Sequence, residues 1–272
     1  MEKKLLMLAV VLAVVVLTTS SVLALDPMGP PTAGLKQGEW KLGVDYMFSN
    51  TDVEADGISE LDLVSGTVKD VEMNKVFANI GTGLSDDFEI FLRLGGAGVK
   101  PDEHDNLDNI AGYIGSGSGF AIGCGMKTTL FQSDDGKIKW GALAQMSWAD
   151  LDFDTEHYSV MGYDVSLSAD ASIIEAQFAF GPTVQLSEGF SVYGGPFLRI
   201  LDGDVDLKGS IDELSGKVST DIEEDSIFGG YIGAQFDIKP GPGQITNGCY
   251  IFCEGQFTAD GWGVGTGMGW KF

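Results

Sequence analysis

Two histidines in acidic surroundings are the first residues whose types and spacing suggest chemistry. His104 lies in the stretch PDEHDN, and His157 lies in DTEHYS, two residues before Ser159. A histidine beside aspartates can activate a water molecule, and a histidine that faces a serine can activate its hydroxyl. The three residues are therefore candidate catalytic groups of a protease or lipase. Histidines in acidic loops are more often ordinary surface residues, so we expect no enzymatic activity.

Two aspartate triplets form the second candidate site. The stretches DLDFDT and DGDVDL each place three carboxylates on one face of a strand: Asp150, Asp152 and Asp154, and Asp202, Asp204 and Asp206. Such oxygens could bind Ca²⁺ or bridge divalent cations to lipid phosphates. Neither stretch is an EF-hand, because Thr155 and Leu207 stand where that loop needs glycine. Solvated strand extensions are the simpler interpretation, and we predict no metal and no cofactor.

The three cysteines do not form a recognisable site. Cys124, Cys249 and Cys253 are odd in number, and none is spaced as C-x-x-C. This arrangement argues against a disulfide framework and against zinc. We expect them to serve as small apolar residues on a packed face.

The N-terminus and the charge restrict the location and partners of the protein. Residues 1–24 combine two lysines, a long apolar run and small residues before position 25, as in a secretory signal peptide. Residues 25–38 are rich in proline and glycine and are expected to form an extended tether. The net charge of −24 argues against nucleic acid as a partner. An acidic chain without a basic patch repels the phosphates of nucleic acid.

The elements that must position these residues are strands. From residue 39 to residue 272, ten stretches alternate with period two, and their apolar faces carry no charge. Short turns alternate with four longer segments, 50–73, 99–117, 150–172 and 203–225, which carry net charges of −6, −3, −6 and −6. We interpret these segments as acidic loops at one end of the structure.

The apolar faces could point into a soluble barrel or out towards lipid. Aromatic residues lie near the strand ends on these faces and suggest two membrane girdles: Trp40, Phe48, Trp140, Trp148, Trp262 and Trp270. The opposite faces hold glycines and charges of both signs, for which we predict an internal network of ion pairs and hydrogen bonds. These features favour a membrane barrel, and a soluble secreted β protein is the alternative.

The chain resembles the small bacterial outer-membrane β-barrels of the OmpA/OmpX-like group. The most specific element is the last strand, which places Val264, Met268, Trp270 and Phe272 at alternate positions and ends on an aromatic, as the assembly signal of these proteins does. The resemblance implies an all-β, up-and-down transmembrane barrel over residues 39–272, here with about ten strands instead of the familiar eight.

The resemblance also implies a location and partners. They are the bacterial outer membrane, its lipids and the barrel-assembly machinery, while the oligomeric state stays open. We expect a structural, adhesive or weakly pore-forming role, with an outer-membrane hydrolase as the alternative.

Overall fold

The alternating stretches form one closed antiparallel sheet. A computed structural model describes residues 25–55, 66–100, 116–160, 163–211, 214–241, 246–259 and 261–272. Its strands are β1 (Trp40–Ala55), β2 (Gly66–Ser85), β3 (Phe88–Lys100), β4 (Gly117–Gln132), β5 (Ile138–Phe153), β6 (Glu156–Val160), β7 (Tyr163–Ser187), β8 (Phe190–Ile211), β9 (Leu214–Ile238), β10 (Gly248–Phe257) and β11 (Gly261–Lys271). None of the described residues forms a helix long and apolar enough to span a bilayer.

Ten of these strands close the barrel. Each pairs with its sequence neighbour, except that β5 pairs with β7, because the short β6 lies beside the far end of β7. The ring closes where β1 pairs with β11 from Lys41–Lys271 to Thr51–Gly261. The predicted all-β, up-and-down barrel of about ten strands is therefore confirmed.

The outer surface carries a wide apolar belt. Leu92, Ile232 and Phe228 are 61%, 63% and 70% exposed. Many further large apolar side chains on the other strands are exposed in the same way. A soluble protein does not expose a contiguous apolar surface of this extent, so the alternative of a soluble secreted β protein is not supported.

Beyond the belt, strands continue where the sequence predicted acidic loops. On the outer face of β7, the lipid-facing Ile174 is next to polar Ser172 and Asp170, which lie beyond the belt. On the inner face, Ile173 and Ala171 are buried. β5 from Asp150 and β8 from Asp202 show the same reversal, with exposed aspartates outside and buried Leu151 inside. We call this region the extension. The interpretation of 150–172 and 203–225 as loops was wrong for most of their length, because the alternation continues there with its polarity reversed. It was also wrong for both ends of the segment 50–73, since β1 continues to Ala55 and β2 begins at Gly66.

The segment before β1 lies inside the barrel. Residues 25–29, 31–33 and 35 are buried. The chain then leaves the barrel lumen at the end where the short turns lie. There the Gly38 N–H donates to the Gly83 carbonyl at 2.9 Å. The expectation of an extended tether gave no indication of this position. We call residues 25–35 the lumen segment.

Candidate functional site

The lumen segment binds to the inner wall through its backbone. Glu254 accepts hydrogen bonds from the Met28 N–H at 2.7 Å and the Gly29 N–H at 2.8 Å. Lys127 donates to the Met28 carbonyl at 2.7 Å, and Gln256 donates to the Asp26 carbonyl at 2.8 Å. A buried backbone group without a partner is costly. These side chains therefore hold the segment in one position, which we call its seat.

Ion pairs then connect the lumen segment to opposite strands. Lys75 Nζ lies 2.7 Å from Asp26 Oδ1 and 2.7 Å from Glu175 Oε2. Arg93 lies 3.9 Å from Asp26 and 3.6 Å from Asp45. All five side chains are nearly inaccessible to solvent. The predicted internal network is confirmed, and the lumen segment is part of it.

The composition of the lumen segment suits this position. Pro27, Pro30 and Pro31 have no N–H, so the segment brings fewer donors that need partners in the lumen. Proline also restricts the free chain and lowers the entropy lost on docking. Gly29 has φ = +63°, and a Cβ there would lie 3.2 Å from Lys127 Nζ. The prolines and glycines that suggested an extended tether are therefore also suited to a segment docked in the lumen.

Apolar contacts anchor the far end of the segment. Leu25 and Met28 are 0% and 1% exposed. They belong to a buried cluster with inner-wall side chains, namely Met47, Leu143, Ala179, Tyr193, Phe197 and Tyr231. Burying two large side chains of this kind contributes roughly 1.5–3 kcal/mol each. Polar and apolar contacts together close the middle of the lumen.

The wall charges show why Asp26 belongs here. The buried or nearly buried charged side chains of the membrane wall are Lys41, Lys75, Arg93, Lys127, Arg199, Asp45, Glu89, Glu175 and Glu254. They comprise five cations and four carboxylates. Asp26 supplies the fifth carboxylate, which balances the interior. The sequence alone did not single out Asp26, because the predicted inner faces also carry Lys139, Asp237 and Lys271, which the structure leaves partly exposed.

A cavity remains at the short-turn end. It has a volume of about 770 Å³ and reaches from Met28 and Gly29 to the turn residues Glu188 and Gly189. Phe91, Tyr250 and Phe252 contribute ring surfaces to its lining. We call this cavity the vestibule, and the lumen segment forms its floor.

Of the three catalytic candidates, His157 is the one whose side chain the structure describes. His104 lies outside the described residues. His157 is exposed on β6, where the strand register pairs it with Ser166 and pairs Ser159 with Asp164. The side-chain position of Ser159 is outside the described structure. A hydrolytic role for these residues stays the alternative to the expected absence of enzymatic activity.

The aspartate candidates all lie at the extension. Asp150, Asp152, Asp154, Asp202 and Asp204 are exposed, and Asp206 is partly exposed. Among the described residues, no group of three acidic, histidine or cysteine side chains is placed to hold a metal ion. The Ser219 hydroxyl and the Lys217 ammonium both donate to Asp206 and lower the pKa of its carboxyl. Calcium binding at these carboxylates stays the weaker alternative to solvated strand extensions.

The aromatic candidates face outwards near the ends of their strands. Trp40, Trp140 and Trp270 lie towards the short turns, and Trp148 and Trp262 lie towards the long loops. The Phe48 and Trp262 ring centroids are 5.7 Å apart.

The three cysteines are free thiols. Cys124 and Cys253 are exposed on the outer face, and Cys249 is half-buried.

The predicted assembly signal ends at the seam. Val264, Met268 and Trp270 point outwards from β11. Phe272 exchanges backbone hydrogen bonds with Trp40 at 2.8 and 3.2 Å, and the two rings stack with centroids 4.2 Å apart. The last residue therefore joins the two ends of the ring.

The chain is similar to several solved structures, whereas no family model and no curated protein matches it. The translocator domain of the autotransporter NalP from Neisseria meningitidis has a TM-score of 0.49 at 10% identity, over 87% of this chain and 90% of that one. The outer membrane protein AlkL gives 0.41 at 11% identity, over 91% and 96%. The outer membrane protease OmpT from Escherichia coli gives 0.39 at 7% identity, over 91% and 98%.

Proposed function

We propose that this protein is a bacterial outer-membrane β-barrel whose own N-terminal segment closes the lumen. In this state it serves as a structural barrel that presents its acidic extension at the cell surface. The observation that carries the proposal is the seat of the lumen segment, where Asp26 is paired with Lys75 and two backbone N–H groups bind Glu254.

The closed lumen explains why the pore-forming role is expected to be weak. Barrels of about eight strands are filled by side chains, and open water channels need nearer sixteen. Here ten strands leave room in the middle for one extended segment, which fills it. Solutes would pass only after this segment moves.

An adhesive role finds support in the extension. Its outer face carries exposed carboxylates beyond the apolar belt, for example Asp150, Asp202 and Asp204. Such a surface favours cationic partners, or divalent ions that bridge it to lipid phosphates. Within the membrane, the partners are the lipids that cover the belt.

Conductance in planar bilayers tests the closed lumen. The wild-type chain should give only rare, small openings, whereas deletion of residues 25–35 should give frequent openings. Gly29→Val should lie between them, because its new side chain meets Lys127 at a left-handed backbone position.

Asp206→Asn in the extension is the matched control and should behave as the wild type. If the deletion variant folds, as shown by its heat-dependent gel mobility, and yet conducts no more than the wild type, the lumen segment is not the closure.

A further inference from the structure

We infer that the vestibule binds a small organic anion that enters from the short-turn side, which is the periplasmic side of an outer-membrane barrel. The volume of about 770 Å³ falls within the range of small-molecule sites. This inference concerns a ligand site and does not depend on whether the barrel conducts.

The distribution of charge gives the first support. The vestibule is lined by eight of the chain's 16 lysines and arginines but by only five of its 40 acidic residues. An otherwise strongly acidic protein thus concentrates its cations around one cavity. Low-dielectric walls around such a cavity raise the local concentration of anions.

Lys127 gives the second, independent support. Its side chain lines the vestibule although the residue is only 7% exposed. Its hydrogen-bond acceptor is the neutral carbonyl of Met28, and no carboxylate oxygen of the described residues lies within 4 Å of its ammonium group. A buried ammonium group with no carboxylate in contact is costly, and an anion in the vestibule would give it a direct charged partner.

Other residues indicate the chemistry of the ligand. Lys139 also lines the cavity and has no ion-pair partner among the described residues. Lys41, which is paired with Glu89, lies over the rings of Phe91 and Tyr250 at 5.6 and 5.9 Å. Aromatic faces beside lysines suit an anion with a flat or apolar body, such as an aromatic carboxylate or sulfonate.

Fluorescence anisotropy of a trisulfonated pyrene dye tests the inference on the full chain in detergent micelles. The wild type should bind the dye, and binding should weaken as salt rises. Lys127→Gln should weaken it by about tenfold or more, because a hydrogen bond to a charged group is lost. Lys137→Gln with Lys139→Gln at the rim should weaken it too, without touching the buried network.

Lys208→Gln with Lys217→Gln at the extension is the control, since these lysines pair with Asp170 and Asp206 outside the barrel. This double variant should bind the dye as the wild type does. Equal binding by the wild type and the rim variant would overturn the inference, as would equal binding of a pyrene that carries amines instead of sulfonates. The dye-binding result is independent of the conductance test of the closed lumen, so failure of one proposal can be told from failure of the other.

Discussion

Glycines on the inner face of β11 let large side chains lie flat against the wall. Gly263, Gly265, Gly267 and Gly269 alternate with outward apolar residues. A Cβ on Gly265 would lie 2.9 Å from Met47 Sδ, and one on Gly269 would lie 2.6 Å from the Tyr250 hydroxyl. These glycines are therefore needed for packing, because neighbouring side chains fill the space above them.

Gly267→Ala should destabilise the barrel by about 1–3 kcal/mol, because its methyl group would overlap the Phe252 ring and the Asp45 carboxylate. Gly98→Ala on β3 is the matched control, since the nearest atom to its Cβ lies 3.8 Å away. Urea unfolding in detergent, followed by gel mobility, measures both. Equal midpoints for the two variants would show that the packing over β11 tolerates a methyl group.

Lys75 joins two buried carboxylates of the internal network. Lys75→Ala leaves the carboxylates of Asp26 and Glu175 buried without their shared cation. Breaking a buried pair in this way costs about 3–5 kcal/mol, and the same urea titration should show it. Lys208→Ala, whose partner Asp170 is exposed, should leave the midpoint unchanged. A small effect of Lys75→Ala would mean that water replaces the lysine in the lumen.

At the scale of the element, each long strand carries two patterns. In β7, the part from Ile174 to Leu186 turns apolar residues to lipid, whereas the part from Asp164 to Ser172 turns polar residues to water. The change marks the membrane boundary, because the outer face meets a different solvent on each side of it. The apolar outer face alone predicts the strand ends at the short turns well. It stops at the membrane boundary, so the strands were predicted too short at the extension.

The last strand is expected to matter most during assembly. Phe272→Ala removes the stacking on Trp40 at the seam and the aromatic end of the predicted assembly signal. We predict a severalfold loss of heat-modifiable barrel in the outer membrane, measured by fractionation and gel mobility. Phe131→Ala, an exposed aromatic near the same end of the barrel, is the control. Equal amounts of the two variants would contradict the assembly signal.

At the scale of the whole molecule, the barrel is assembled from parts that the sequence reveals unequally. The ten strands, the closure of β11 on β1 and the mixed charges inside were predictable, because a period of two repeats over many residues. The seat of the lumen segment was not, since proline and glycine give the same local signal in a free linker and in a docked strap. The balance of buried charges that Asp26 completes becomes visible only once the structure shows which wall charges are buried.

The most direct test of the account is the accessibility of position 28. In a chain without its native cysteines, Met28→Cys should react very slowly with a polyethylene-glycol maleimide too bulky for the vestibule, because Met28 is 1% exposed. It should react fully once urea unfolds the barrel. Gln37→Cys, at an exposed position outside the lumen, should react at once in the folded state. Equal, rapid modification of both cysteines in the folded barrel would show that residues 25–35 are a free tether and would contradict the closed lumen.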